Sequence, residues 1–482
     1  MEFINNINTL TIPELIKIYI DEFDSSGDRK MMMKGERYYK VDNDIQDRKM
    51  LRYENGTWVN DEVKTNHRLA HGFMHNLVDD KVNYLLSKPW TLECKNVPYL
   101  AKVNKLLGKR FQNKVSKLGT ETSNKGIAWL YCYVDVKGVF KTMRIRSEEC
   151  IPLWVDNDHE ELQAMIRHYD VEVYEGKTKK IITKVEYHTP EGVSYFLLAD
   201  GTSGLVILDA EMYLDVADES NDILPHFTIN NEPGAWDKVP FVPFKNNDFE
   251  LPDLQFVKTI VDDYDLTRSD VSNMLTDIKN AVTKLKGYNG EDKEQFMKDM
   301  AYYQMILLDD DGDAEVMTSN INIDAAEKHW QADKKDIFDF GQGVDKNQDK
   351  IGNEASGVAL KFMYSGLDLK CNPMEENFKW AFEQLLYFVD KYIEVTHDGV
   401  KVDEVEVVFN RDIAINESQT ITDCQNSKGV ISDATIISNH PWVDDVSKEQ
   451  AQIKKETAAE EDSIIQQNAA DTEANKNDVV NL

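Results

Sequence analysis

Three histidines are the first candidates for chemistry. His67, His71 and His75 recur every four residues, with Asp79 next. On a helix that spacing puts them on one face, where an i, i+4 histidine pair can chelate a metal. One ion cannot use them all, because His67 and His75 would lie about 12 Å apart at ~1.5 Å of rise per residue. Arg68 also stands where a zinc protease of the HExxH type needs its glutamate. The expectation is a solvated or subunit-facing helix side, with no metal. Gly176-Lys177-Thr178 matches the end of a phosphate-binding P-loop, but Val171 replaces the first glycine and the segment falls between strands. The cluster Asp309-Asp310-Asp311-Gly312-Asp313 fails as a calcium loop. Aligned on its glycine, it puts Leu307 at the first ligand position and Thr318 at the last. It reads as an acidic hairpin turn. No serine elbow, Cys-His motif or spaced carboxylate pair is visible, so no catalytic residue and no cofactor are expected. Lys346 and Lys350 remain, in a polar, glycine-bearing stretch where they could touch phosphates transiently.

The elements that must position these residues centre on 251–396. A helix is expected behind Pro252 with Asp253 as its N-cap, carrying Leu254, Val257, Val261, Tyr264, Val271, Leu275 and Ile278 as an apolar stripe. Arg268 interrupts that stripe. Asp262, Asp263, Asp265, Asp270 and Asp277 crowd the other side, which predicts neighbours along one side only. A small β-containing insert follows, with a strand at 282–287, a turn at 288–291, a short helix at 292–301 and an apolar run at 305–308. A second helix is expected over 324–340, so the insert forms a protruding tip. The run from Gly341 to Gly357 is too polar and glycine-rich for a continuous helix and predicts a mobile loop. The longest helix then resumes through Ile393, with Pro373 predicting a kink or break.

Upstream, helices are expected over 11–23, through Tyr38 and Tyr39, and over 66–86. From Trp129 to about Phe227 the period changes to two, which predicts a largely antiparallel sheet region. Residues 232–234 and 239–243 read as an extended connector, and 404–409 as a further strand. Beyond Glu417 come short helices and a polar tail.

The 482 residues exceed a usual single core and predict roughly two to four structural regions. The balance of 55 Lys+Arg against 87 Asp+Glu, a formal charge of -32, argues against a surface that grips phosphate backbones. Five scattered cysteines, Cys94, Cys132, Cys150, Cys371 and Cys424, form no CxxC pair and fit a reducing cytoplasm. Neither a secretory leader nor a membrane span is expected.

Three strings carry a resemblance. They are Asn66-His67-Arg68-Leu69 leading to Leu77-Val78-Asp79-Asp80-Lys81-Val82-Asn83-Tyr84-Leu85-Leu86-Ser87-Lys88-Pro89, then Val239-Pro240-Phe241-Val242-Pro243-Phe244-Lys245-Asn246-Asn247, and Gly352-Asn353-Glu354-Ala355-Ser356-Gly357-Val358-Ala359-Leu360-Lys361-Phe362-Met363-Tyr364. The third is the most specific. With the order of elements, they resemble the portal proteins of tailed bacteriophages, of the kind found in long-tailed phages of Gram-positive hosts, from about Tyr38 to Tyr392.

The resemblance implies an α+β ring subunit with long stem helices, a β-containing clip, a mixed α/β wing and a helical C-terminal crown. The ring, commonly of twelve copies, would sit at one capsid vertex of the virion after assembly in the host cytoplasm. Double-stranded DNA would pass through it for packaging and ejection. Expected partners are the terminase large subunit, a head-tail adaptor, and the major capsid and scaffolding proteins, with no membrane. Residues 1–252 would be wing, 253–278 and 324–341 stem, 279–323 clip, 342–356 tunnel loop, 357–416 the long wing helix and a returning strand, and 417–482 crown and tail. Asp262, Asp263, Asp270, Lys334 and Lys335 would lie on the channel stem. Lys346, Asn347, Gln348, Lys350 and Asn353 would face DNA, and Tyr288, Asp292, Asp310 and Asp311 would dock partners. The alternatives are another oligomeric virion adaptor or scaffold, or a hydrolase with a spatially assembled site.

Overall fold

Local capping sets the first two helices. In the computed structural model, which describes residues 10–62, 64–198, 206–209, 212, 223–277, 282–286, 313–317, 323–346, 357–397, 399–411, 417–443, 446 and 448–459, α1 (Ile12–Ser25) begins where Thr11 N–H donates to Glu14 Oε2 at 2.8 Å, with Pro13 in the first turn. Ser26 Oγ then accepts from Arg29 N at 3.1 Å and caps α2 (Gly27–Tyr39), which carries a basic, Met-rich run from Arg29 to Lys34. A hairpin of β1 (Leu51–Glu54) and β2 (Thr57–Asn60) follows. Next come α3 (Phe73–Leu86), β3 (Thr91–Glu93), α4 (Val97–Leu107) and α5 (Phe111–Lys125).

Two antiparallel sheets fill the middle of the chain, as the period of two predicts. One has five strands in the order β10-β9-β8-β7-β6, built from β6 (Cys150–Trp154), β7 (Leu162–Glu175), β8 (Thr178–His188), β9 (Val193–Leu198) and β10 (Val206–Leu208). Gly176, at φ 67°, and Lys177 form the two-residue turn between β7 and β8, which removes any P-loop reading. The other sheet has the order β13-β4-β5, from β4 (Ile127–Val134), β5 (Phe140–Ile145) and β13 (Phe241–Lys245). A short pair, β11 (Phe227–Ile229) with β12 (Glu232–Gly234), lies between them in sequence. The expected connector at 239–243 is therefore largely strand. Its Pro243 sits opposite Trp129 on an edge strand, where a missing N–H is tolerated.

The C-terminal half begins with a 3-10 turn (Asp253–Phe256) and α6 (Lys258–Asp277). Strands β14 (Val282–Lys286) and β15 (Asp313–Met317) pair antiparallel across the insert. The second strand falls after the apolar run at 305–308, which lies outside the described residues, as do the turn at 288–291 and the helix expected at 292–301. Helix α7 (Ile323–Phe340) follows, then the 39-residue α8 (Gly357–Val395), about 58 Å long at ~1.5 Å per residue. Pro373 lies inside α8 without ending it. β16 (Glu406–Val408) returns to pair with β3, and α9 (Glu417–Asn426), α10 (Asp433–Ser438) and a helical stretch at 448–459 close the described chain. No helix among the described residues is long and apolar enough to cross a membrane.

The main core gathers α3, α5, β4, the start of α6 and α8, through Leu77, Val78, Leu118, Leu130, Val261 and Phe382. A second cluster packs Ile16 and Ile20 of α1 on Ile151, Ile166, Val185 and Phe196 of the larger sheet.

Candidate functional site

Helices α6 and α7 leave and rejoin the body at one buried ionic cluster. Asp253, 2% exposed at the foot of α6, lies 3.2 Å from Lys81 Nζ of α3 and 3.1 Å from Lys370 Nζ of α8, and accepts from Asn246 Nδ2 at 2.9 Å. Burial alone would raise its carboxyl, but Lys370, Lys81 and the Asn246 amide outweigh burial and hold it below the usual carboxylate range. Lys370 Nζ also donates to Gly341 O at 2.8 Å, at the C-terminus of α7. One set of charges thus joins the root of α6, the end of α7 and the body helices α3 and α8. Asp253 was expected as a cap, and Lys81 and Asn246 lie within the strings that carry the resemblance. Their meeting is not a sequence signal, although a lysine amid Leu77, Val78, Val82 and Leu85 is a visible anomaly.

The helix pair is knit along its length. Arg268, the break in the apolar stripe, places its guanidinium 4.3 Å from the ring centroid of Trp330. Tyr264 of α6 and Phe338 of α7 both pack edge-on against Phe73. Ile337 is fully buried.

The second side of α6 is also occupied, contrary to the expectation of neighbours on one side. Residues 66–72 do not extend α3. They run as non-helical chain along α6, where His67 N donates to Asn273 Oδ1 at 2.6 Å, Leu69 N to Ser269 Oγ at 2.9 Å and His71 N to Asp265 Oδ1 at 3.1 Å. Two extended residues advance about 6.6 Å and four helical residues about 6.0 Å, so alternate N–H groups meet every fourth side chain. This docking overrides the helical spacing of the sequence. It also dissolves the histidine face. His71 Nδ1 contacts Asp265 at 2.7 Å and His67 Nε2 contacts Thr276 Oγ1 at 3.1 Å, whereas His75, on α3, contacts Tyr39 O at 3.2 Å.

Four acids of α6, Asp262, Asp263, Asp265 and Asp270, are engaged within the chain. Asp262 accepts from Tyr38 Oη and Lys258 Nζ, Asp270 pairs with Arg48, and Asp265 is fully buried. Asp263, half-exposed, stands 3.0 Å from His329 Nε2. Lys334 lies 3.8 Å from Asp345 and the more exposed Lys335 lies 4.0 Å from Asp339.

Residues 341–346, the start of the expected loop, form a built hinge, and the rest of that loop, 347–356, lies outside the described residues. Gly341 N donates to Ile337 O and Gly343 N to Phe338 O, each at 2.9 Å, with Gln342 at φ 51° between them. A Cβ on Gly343 would lie 2.2 Å from Leu77 Cδ2, so the backbone seats directly on α3. Val344 is buried, and Lys346 Nζ donates to Asp80 Oδ1 at 2.6 Å. Asn347, Gln348, Lys350 and Asn353 lie outside the described residues, as do Tyr288, Asp292, Asp310 and Asp311.

A family model described as phage portal protein, SPP1 Gp6-like, matches residues 17–463. The portal protein of Bacillus phage SPP1 is 30% identical over 430 residues, covering 88% of this chain and 83% of that protein. The portal protein of Clostridium phage phiCD119 is 30% identical over 436 residues, covering 87% of this chain and 91% of that protein. Among solved structures, a chain from the neck of a native GTA particle aligns at a TM-score of 0.38 and 14% identity, covering 77% of this chain and 89% of that chain.

Proposed function

The chain belongs to the SPP1 Gp6-like family of phage portal proteins, and we propose that it works as a closed ring, of twelve copies, forming the DNA channel at one vertex of the capsid. In this reading α6 and α7 form the channel stem, and the insert at 279–323 is the clip that docks the terminase large subunit and later the head-tail adaptor. Residues 342–356 form the tunnel loop against DNA, the body is the wing, and 417–482 form the crown. The protein acts as structure rather than as a catalyst.

The observation that carries this reading is the junction at Asp253, where both stem helices are fixed to α3 and α8 by one buried cluster. A channel wall needs such a rigid root if force on the loop or clip is to reach the body. Charge supports it as well. A protein of formal charge -32 repels the phosphate backbone and lets DNA slide, while Lys346 and Lys350 supply brief, salt-sensitive contacts. The stem positions Asp262, Asp263, Asp270, Lys334 and Lys335 set the local balance, with Asp262 and Asp270 acting through their partners Lys258 and Arg48.

Native mass spectrometry with negative-stain class averages of the purified full chain tests the ring. A closed assembly with a central hole, supporting DNA entry when terminase is added, is the expected result. Rings that form but never support DNA entry would point to a different virion adaptor.

A further inference from the structure

Outside the hinge, three side chains between the stem helices have the arrangement of a metal site. Asp263 of α6 and His329 and Asp333 of α7 bring one potential ligand atom each within 4.8 Å of one another. His329 Nε2 stands 3.0 Å from Asp263 Oδ2 and 3.5 Å from Asp333 Oδ2. A tetrahedral ion with bonds of about 2.1 Å holds its ligands about 3.4 Å apart, so the two separations from His329 are close to that spacing, and the two carboxylates have at most 4.8 Å to close from. His329 and Asp333 are four residues apart on one helix and share its face, while Asp263 approaches from the neighbouring helix.

A second observation points to a ligand. Asp333 is only 8% exposed, and its Oδ2 has no hydrogen-bond partner among the described residues although it faces the same space as His329 and Asp263. Its nearest donor, His329 Nε2 at 3.5 Å, makes no hydrogen bond to it, and a buried carboxylate oxygen left so is costly and rare. Asp263 and Asp333 set two carboxylates against one imidazole. A cation would resolve this local excess of negative charge.

We infer that Asp263, His329 and Asp333 bind a divalent transition ion of the zinc class, with water completing its shell, and that the ion clamps α6 to α7. One imidazole with two carboxylates favours zinc or manganese over magnesium or calcium, which take oxygen shells. Binding uses the Nε2 lone pair, so the ring proton moves to Nδ1 and the His329–Asp263 hydrogen bond is replaced by two bonds to the ion. The site does not depend on the channel reading, since it is built within one chain.

The test is calorimetric titration of untagged, chelator-treated full-length protein with Zn2+ and separately with Mg2+, alongside thermal unfolding with and without Zn2+. One Zn2+ per chain, a higher Tm with Zn2+, and at least tenfold weaker binding in both His329→Ala and Asp263→Asn are expected. Both replaced side chains are about half exposed, so the variants should keep the native circular dichroism spectrum. If one lost it, the other would decide. No Zn2+ uptake, unchanged Zn2+ affinity in a folded variant, or Mg2+ binding as tight as Zn2+ would overturn the site.

Discussion

Lys346 Nζ lies 2.6 Å from Asp80 Oδ1, so the first lysine after the hinge is held by α3. Lys346 is 66% exposed, and such a surface pair contributes only about 0–1 kcal/mol. Lys346→Ala is therefore expected to leave ring assembly intact and Tm within ~2 °C, while slowing DNA packaging measured by nuclease protection. Asp80→Asn keeps the lysine and frees it, so its packaging rate should differ from that of Lys346→Ala. Identical rates for both variants would remove the pair from the function, and loss of the ring would remove the loop-only role.

The Asp253 cluster predicts both a mutational and a pH effect. Asp253→Ala strands Lys81 and Lys370 as buried charges without a counter-ion, and breaking a buried pair in this way costs about 3–5 kcal/mol. Denaturant unfolding of the purified chain checks it, and a loss below ~1 kcal/mol would contradict the buried geometry. The folded-state pKa of Asp253 is depressed. Its stabilisation is thus fully present above the unfolded value near ~3.9 and is lost as pH falls from there through the lower folded value. The acid limb of stability in wild type should therefore be steeper than in Asp253→Asn.

The contrast between legible and hidden features follows from range. Helices α7 and α8 and the antiparallel sheet region after Trp129 were readable because each repeats its own period over many residues, and the observed bounds of α7, Ile323–Phe340, differ from the expected 324–340 by one residue. Residues 66–72 were misread because partners 194 to 206 positions away, Asp265 and Asn273, satisfy their N–H groups. β13 was misread because Pro240 and Pro243 mimic a connector until β4 is known to lie on its other side. The ionic junction was invisible for the same reason, since Lys81 and Asp253 are 172 positions apart.

Two glycines in helices should respond in opposite directions to alanine. A Cβ on Gly35 of α2 would lie 1.8 Å from the backbone oxygen of Asn124 in α5, so the two helices would have to separate. Gly35→Ala is expected to cost about 3 kcal/mol or to prevent soluble expression. Gly366, inside α8, has only Gln342 Cα, at 4.0 Å, within reach of such a Cβ. Gly366→Ala should stabilise by roughly 0.5–1 kcal/mol through helix propensity. Thermal unfolding of the two variants side by side decides, and equal effects would mean that backbone approach is not what selects Gly35.

The hinge can be tested by coupling Gly343 to Leu77. Valine at 343 would collide with Leu77 and come within 3.1 Å of Phe338, which overpacks a buried seat and costs about 1–3 kcal/mol. Leu77→Ala alone leaves a cavity in the main core and costs about 2–5 kcal/mol. If the hinge truly sits on Leu77, the new side chain fills the space that the truncation opens, so the double variant should be more stable than the sum of the two losses by roughly 1 kcal/mol or more. Because the same seat fixes where the loop leaves the body, the double variant should also recover packaging relative to Gly343→Val. Strict additivity in denaturant unfolding would show that the two residues do not share the contact.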